Sequence, residues 1–144
     1  ELKKLQDDVP PVEFDEIREQ VEQSLGGALP EFFESFEQTP LAAASIGQVH
    51  RAVLRSADGP VQVAVKVQRP HIRDKITTDL DILEYIVLRL HHRLESLQGY
   101  DLPGLLAVTR RNLLKELDFE REARLMKIAR SYLPENSRVH IPRV

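Results

Sequence analysis

Two short stretches alternate apolar and polar side chains: residues 48–54, and residues 61–67 with valine at 61, 63, 65 and 67. A period of two puts successive side chains on opposite faces of a strand. Between them lies Ser56-Ala57-Asp58-Gly59, a composition that turns the chain back on itself. The pattern predicts a β-hairpin. Its second strand presents four valines to one side and Ala64 and Lys66 to the other, so register alone fixes a lysine near the end of a strand. The rest of the chain has to pack around that hairpin.

The flanks read as helices. Phe14, Ile17, Val21 and Leu25 recur at helical spacing, glutamate and glutamine fill the other face, and Gly26-Gly27 ends the helix. Before it, residues 1–5 read as a helix end, stopped by Asp7-Asp8-Val9-Pro10-Pro11. Phe32, Phe33 and Phe36 predict one more helical turn packed onto the core. Pro70 closes the hairpin, and a helical pattern follows over 72–97 through Ile76, Leu80, Leu83, Ile86 or Val87, Leu90, Leu94 and Leu97, ended by Gly99. Asp101 is an N-cap candidate with Pro103 in the next first turn, and that helix runs to Leu114. A further helix is predicted over 119–132, then a turn at Pro134-Glu135-Asn136 and a strand starting with Val139, Ile141 and Val144. The expected class is α+β: a helical extension over 1–38, then a sheet-bearing lobe over 39–144 with a helical insertion at about 70–115.

Composition narrows the function. At 144 residues the chain suffices for one ordinary domain. Nothing approaches the 18 or so apolar residues of a membrane-spanning helix, and no signal-peptide pattern opens the chain. It starts at Glu1 rather than methionine, so a piece of a longer protein is expected. Without cysteine there is no disulfide or thiol chemistry. His91 and His92 are neighbours on a helix and point about 100° apart, so no metal site is read there or elsewhere. Residues 1–40 carry eleven acids against three bases, and the remainder carries twelve against seventeen. The bases Arg110, Arg111, Lys115, Arg121, Arg124, Lys127 and Arg130 are interleaved with acids and lack aromatic neighbours, so no nucleic-acid partner is expected.

The chemistry-bearing motifs sit on the hairpin. Val63-Ala64-Val65-Lys66 matches the V-A-I-K strand signature, in which the lysine pairs nucleotide α/β-phosphates and an acid on a helix. Just upstream, residues 42–49 match G-x-G-x-x-G-x-V only in their second half. Gly47 and Val49 are in place, and Ala42 and Ala44 stand where the first two glycines belong. Glycine there allows positive φ and close approach to phosphate, so the alanines are expected to stiffen and crowd the turn. Carboxylates for Lys66 lie in Glu116-Leu117-Asp118-Phe119-Glu120-Arg121-Glu122. Glu116 and Asp118 bracket a helix boundary, where acids also serve as plain N-terminal dipole partners. No H-R-D-type loop and no D-F-G follow.

With these motifs the chain resembles the UbiB/ADCK atypical kinases, a protein-kinase-like family of ubiquinone biosynthesis, and the resemblance runs over nearly its whole length. Leu5-Gln6-Asp7-Asp8-Val9-Pro10-Pro11 is similar to the stretch after that family's lysine-x-glycine-glutamine motif. Residues 42–49 resemble its alanine-rich loop, residues 63–70 its lysine strand, and Glu116-Leu117-Asp118 its glutamate-x-aspartate motif. The resemblance implies the N-lobe of a kinase-like fold that takes ATP or ADP with Mg. It implies that Lys66 and Glu122 form the phosphate-binding pair, and that Ala42, Ala43, Ala44, Ser45, Gly47, Val49 and Ala64 shape the nucleotide site. Glu116 and Asp118 would belong to additions that block a protein substrate. Metal ligands and catalytic base would come from a C-lobe of the same protein, leaving this piece inactive alone. Cytoplasmic placement at a membrane, quinone-biosynthesis proteins as partners, and self-association through apolar surface meant for the C-lobe are further implications. A helical interaction module, binding a protein or lipid surface through the helices after Pro70, is the alternative.

Overall fold

The computed structural model describes residues 9–94, 97, 99–134 and 138–144. It comprises helices α1 (Phe14–Leu25) and α2 (Leu29–Phe32), strands β1 (Phe33–Phe36), β2 (Ala42–Ala43), β3 (Gly47–Leu54) and β4 (Val61–Gln68), and helices α3 (Ile72–Arg93), α4 (Leu102–Glu116) and α5 (Phe119–Ser131). Two compact units divide the chain, Glu1–Ile72 and Arg73–Val144.

In the first unit β3 is the central strand. β4 pairs with it antiparallel along its full length, from Gly47 opposite Gln68 to Leu54 opposite Val61. β1 and β2 share its other edge, β1 opposite residues 52–54 and β2 opposite Val49 and Gln48. The hairpin turn is as predicted: Gly59 takes φ 105° and its N–H donates to the Ser56 carbonyl at 3.1 Å. One sheet face is apolar. Val67 and Ala52 are buried there against Ile17 and Val21 of α1 and Leu29 of α2, with Val63 and Val65 packed alongside. Burial of that stripe holds α1, whose C-terminus closes on Gly26 in the left-handed conformation.

The predicted helical turn at Phe33 and Phe36 is instead strand β1. Three aromatic residues in five satisfy a helical spacing and a strand equally well, and the free edge of β3 decides the matter. Phe33 is buried beside Ala52, and Phe36 stacks edge-on against Phe33 at 5.3 Å and lies 5.3 Å from the His50 ring. The strand expected from Val139 is also absent: residues 138–144 form no ladder among the described residues. The predicted helix end at residues 1–5 and most of the turn at Pro134-Glu135-Asn136 lie outside the described residues.

Arg69-Pro70-His71-Ile72 ends the first unit in a turn, with the Ile72 N–H directed at the Arg69 carbonyl at 3.3 Å. His71 has φ 57°. Proline at the first central position and a positive φ at the second follow the type II pattern, in which glycine is the usual second residue.

The second unit is helical. α3 stops at Arg93, four residues short of the predicted Leu97. Asp101 caps α4 as expected, its Oδ1 accepting from the Gly104 N–H at 2.9 Å. A β-carbon on Gly104 would collide with that carboxylate. Leu80 and Leu117 are the buried apolar side chains among the described residues of this unit. Arg110 of α4 bridges to α3, 2.6 Å from Asp81 and 3.6 Å from Glu84.

Substitutions at two positions test this backbone. A β-carbon at Gly47 would lie 2.6 Å from the Val67 carbonyl oxygen, so Gly47→Ala forces β3 and β4 apart. It is expected to cost about 1–3 kcal/mol, read as a lower denaturation midpoint. His71→Gly removes the left-handed penalty at the cost of backbone entropy and should gain about 0.5 kcal/mol, whereas His71→Val should lose stability.

Candidate nucleotide site

The ladder sets the geometry of the site. Ala42 is opposite Val49, and Val49 is opposite Lys66, so the three form one row across β2, β3 and β4. Directly opposed residues share a face. The row therefore lies on the side away from the apolar core, and Ala64, opposite Arg51, lies on that same side. Lys66 and Ala64 are both exposed, Val49 half-buried. The next row, Ala43, Gln48 and Val67, faces the core.

The alanine loop is a hairpin of its own. β2 leads into Ala44-Ser45-Ile46 and returns at Gly47, closed by the Ala44 N–H donating to the Gly47 carbonyl at 2.8 Å. The described residues with positive φ are Gly26, Gly59 and His71, and none belongs to this loop. Alanine therefore fits its backbone without strain, and the expected stiffening by forced geometry does not arise. Gly47 is needed for a different reason from the one glycine loops suggest: it is buried, and its missing side chain lets β4 approach.

Three residues that sequence reasoning passed over hold the loop in place. Gln48 and His50 are buried, 2% and 0% exposed, on the core face. The Gln48 side chain accepts from the Val12 N–H at 2.9 Å and its amide nitrogen lies 3.4 Å from the Val12 carbonyl. His50 Nδ1 lies 2.8 Å from the Glu37 carbonyl, which can only accept, so Nδ1 carries the proton. His50 Nε2 then accepts from the Gln48 amide at 3.0 Å. Every polar atom of the pair is thereby used, which removes the penalty of burying it. Arg69 spans the loop and the segment before α1: its Nε donates to the Ala44 carbonyl at 2.9 Å and its Nη2 to the Pro10 carbonyl at 2.8 Å. The signal for Gln48 and His50 was the alternation itself, which puts both on the valine face.

The acidic residues belong to the second unit. Glu116 is the last residue of α4, and Leu117 beside it is buried. Asp118 caps α5, its Oδ1 accepting from the Arg121 N–H at 2.7 Å. Glu122 stands in the first turn of α5 and is exposed, and its N–H donates to the Asp118 carbonyl at 3.1 Å. Lys66 stands in the first unit, so the two members of the expected pair are carried by different units. No group of three or more histidine or acidic residues suited to a metal ion occurs among the described residues.

A four-stranded antiparallel sheet that carries a strand lysine and a small-residue hairpin, packed on helices, is the architecture of a kinase-like N-lobe. Residues 4–144 match the family model of the ABC1 atypical kinase-like domain, and the chain belongs to that family. It is 36% identical over 143 residues to AarF domain-containing protein kinase 1 of Xenopus laevis, covering 99% of this chain and 26% of the relative. It is 40% identical over 129 residues to the mitochondrial atypical kinase coq-8 of Caenorhabditis elegans, covering 90% of this chain and 16% of that protein. Among solved structures, the Mycobacterium tuberculosis protein Rv3197, determined in complex with erythromycin, superposes with a TM-score of 0.75 at 32% identity, over 94% of this chain and 33% of that one. The chain thus spans between about a sixth and a third of the proteins it matches.

The aspartate cap is separable from any chemical role of Asp118. Asp118→Ala should cost about 1 kcal/mol through loss of the cap, and Asp118→Asn, which can still accept from the Arg121 N–H, should cost little. Thermal melts of the two variants check this. An Asn variant of native stability that has lost activity in the full chain would give the carboxylate charge a role beyond the cap.

Proposed function

We propose that this chain is the N-lobe part of an atypical kinase-like ATPase that binds adenine nucleotide across the polar face of its sheet. The observation that carries this reading is the row Ala42–Val49–Lys66, which puts the lysine on the same face as the start of the alanine hairpin. In this reading Ala42, Ala43, Ala44 and Ser45 cover the nucleotide, and Gly47 holds that cover close to β4. Val49 and Ala64 offer a low, apolar floor beside Lys66. The lysine contacts the α/β-phosphates, and Glu122 is the carboxylate assigned to the same phosphate-binding role. A strand lysine is a compact point charge suited to phosphate.

A nucleotide's magnesium would be held from elsewhere in the longer protein, along with the catalytic base. Mg is therefore assigned no ligand among the residues described, and the 144 residues alone are expected to be inactive. Glu116 and Asp118 are assigned to control of the site rather than to phosphoryl transfer. The helices at about 70–115 are an insertion within the lobe, and residues 1–38 its extension. The whole protein would support quinone biosynthesis at a membrane, with a small molecule, lipid or quinone precursor as substrate. The names of the relatives, kinases of the AarF and coq-8 kind, support the family part of this proposal. No helix among the described residues is long and apolar enough to cross a membrane, so association would be peripheral or through another part of the protein.

A second reading rests on α3. Ile82, Tyr85, Ile86 and Leu90 are exposed along it, an apolar stripe a partner could cover. The discriminating variant is Lys66→Ala in the full chain, titrated with a fluorescent adenine nucleotide. Loss of the charged contact is expected to weaken binding about 10- to 100-fold with the melting temperature preserved. Lys66→Arg should not restore it, because a guanidinium is longer and planar. Unchanged affinity in Lys66→Ala would remove the nucleotide reading and leave the helical one.

A further inference from the structure

Arg69 makes three hydrogen bonds to three backbone carbonyls from two separate segments. Its own N–H donates to Ile46 at 3.0 Å, its Nε to Ala44 at 2.9 Å and its Nη2 to Pro10 at 2.8 Å. The carbonyls of Ala44 and Ile46 bracket Ser45 at the tip of the alanine hairpin. Pro10 lies in the segment that enters α1, 59 positions away in sequence.

That segment is poor in means of attachment. Pro10 and Pro11 have no N–H, so neither can donate to a ladder. Between Pro10 and α1 it is held by Gln48 at Val12 and by Arg69 at Pro10. The hairpin tip is held likewise, by its own closure at Gly47 and by Arg69. A guanidinium suits the task because its N–H groups point in fixed, divergent directions within one plane. A lysine ammonium could serve one of the two side-chain acceptors well, not both.

We propose that Arg69 is a positioning residue that makes the alanine hairpin and the segment before α1 a single mechanical element. The proposal rests on the nucleotide reading above and deepens it. A hairpin that covers a nucleotide sets its rate of escape, and a hairpin tied to Pro10 moves only when that segment moves. Displacing the segment before α1 loosens the cover, and a nucleotide that orders the cover orders the segment. Coupling of this kind is reciprocal.

The experiment uses the full chain with Arg69→Ala and Arg69→Lys. Amide exchange is read at Val12, whose N–H bonds Gln48, and at Ala44, whose N–H bonds Gly47, with Glu37, whose N–H bonds the Arg51 carbonyl, as reference. In Arg69→Ala, exchange at Val12 and Ala44 should rise together, about tenfold, while Glu37 holds its rate. Dissociation of a fluorescent adenine nucleotide should accelerate about 5- to 10-fold, with Arg69→Lys in between. Faster exchange at Ala44 with Val12 unchanged would overturn the coupling. So would equal acceleration at Glu37, which would mark a general loss of stability. Unchanged dissociation in a protein that binds nucleotide through Lys66 would also overturn it. If Lys66→Ala and the unaltered protein handle nucleotide alike, the site reading has failed on its own, and the exchange rates still decide whether the coupling exists.

Discussion

Strand β3 has two hydrogen-bonding edges and must serve three partners. β4 occupies one edge over all eight residues, while β1 and β2 divide the other. That division fixes where everything else can go. Because pairing runs unbroken along β4, no side chain on it can change face without breaking the ladder, and a slip of one residue would exchange Lys66 for Val67 in the buried layer. Because β2 is confined to two residues beside Gln48 and Val49, the chain must turn at once, and the turn closes on Gly47, two rows along the sheet from the lysine's. The position of the candidate site is thus a consequence of edge sharing rather than of any contact between the loop and the lysine.

The same constraint explains two polar residues in the core. β3 presents Gln48 and His50 to the buried side, where alternation would ordinarily place apolar groups. They are accommodated because the sheet's neighbours there are backbone groups that need partners: both polar groups of Val12 and the carbonyl of Glu37. Val12 precedes α1 and Glu37 follows β1; the Glu37 N–H still bonds the Arg51 carbonyl of β3, while its own carbonyl is bonded by His50. Buried side-chain amide and imidazole take the place of a strand at these groups. A methyl-bearing replacement would fill the volume and leave three backbone groups unsatisfied, each costing about 1–3 kcal/mol.

How much of this was legible in the sequence follows from how local each cause is. The valines at 61, 63, 65 and 67 and the turn at Gly59 carry their own geometry, so the hairpin and the face of Lys66 were readable in full. The caps at Asp101 and Asp118 act over three residues and were readable too. Phe33 and Phe36 were not, since their state depends on an edge offered by a strand some twenty residues later. Nor was Arg69, whose role joins positions 25 and 59 residues away that carry no side-chain signature at all, only carbonyls. The alanine loop was read as a turn that its alanines would stiffen and crowd, and the structure shows it as a short hairpin without positive φ. Glycine's freedom of φ was the expected issue, and backbone proximity at Gly47 is the operative one.

The two units differ in what fixes their charged groups, and the difference bears on how such a site could be controlled. Lys66 is held by a ladder of eight paired residues over a packed core. Glu122 stands on a helix with no buried side chain, started by a single aspartate and joined to α4 through Leu117 and Asp118. Between α3 and α4, Leu80, Val87 and Leu88 face Pro103, Leu106 and Ala107 around a shared pocket, and Arg110 adds an ion pair with two exposed acids that is weakened by solvent and worth about 1 kcal/mol or less. Helices so held gain most of their stability from burying an apolar face. Leu125 and Ile128 on α5, and Leu105 and Val108 on α4, remain exposed. The lysine therefore stands on a fully paired strand, and the glutamate on a helix whose own apolar side chains are largely exposed. A partner that covered those apolar side chains would add to the stability of the helices that carry Glu116 and Glu122, and would leave the ladder that carries Lys66 as it is.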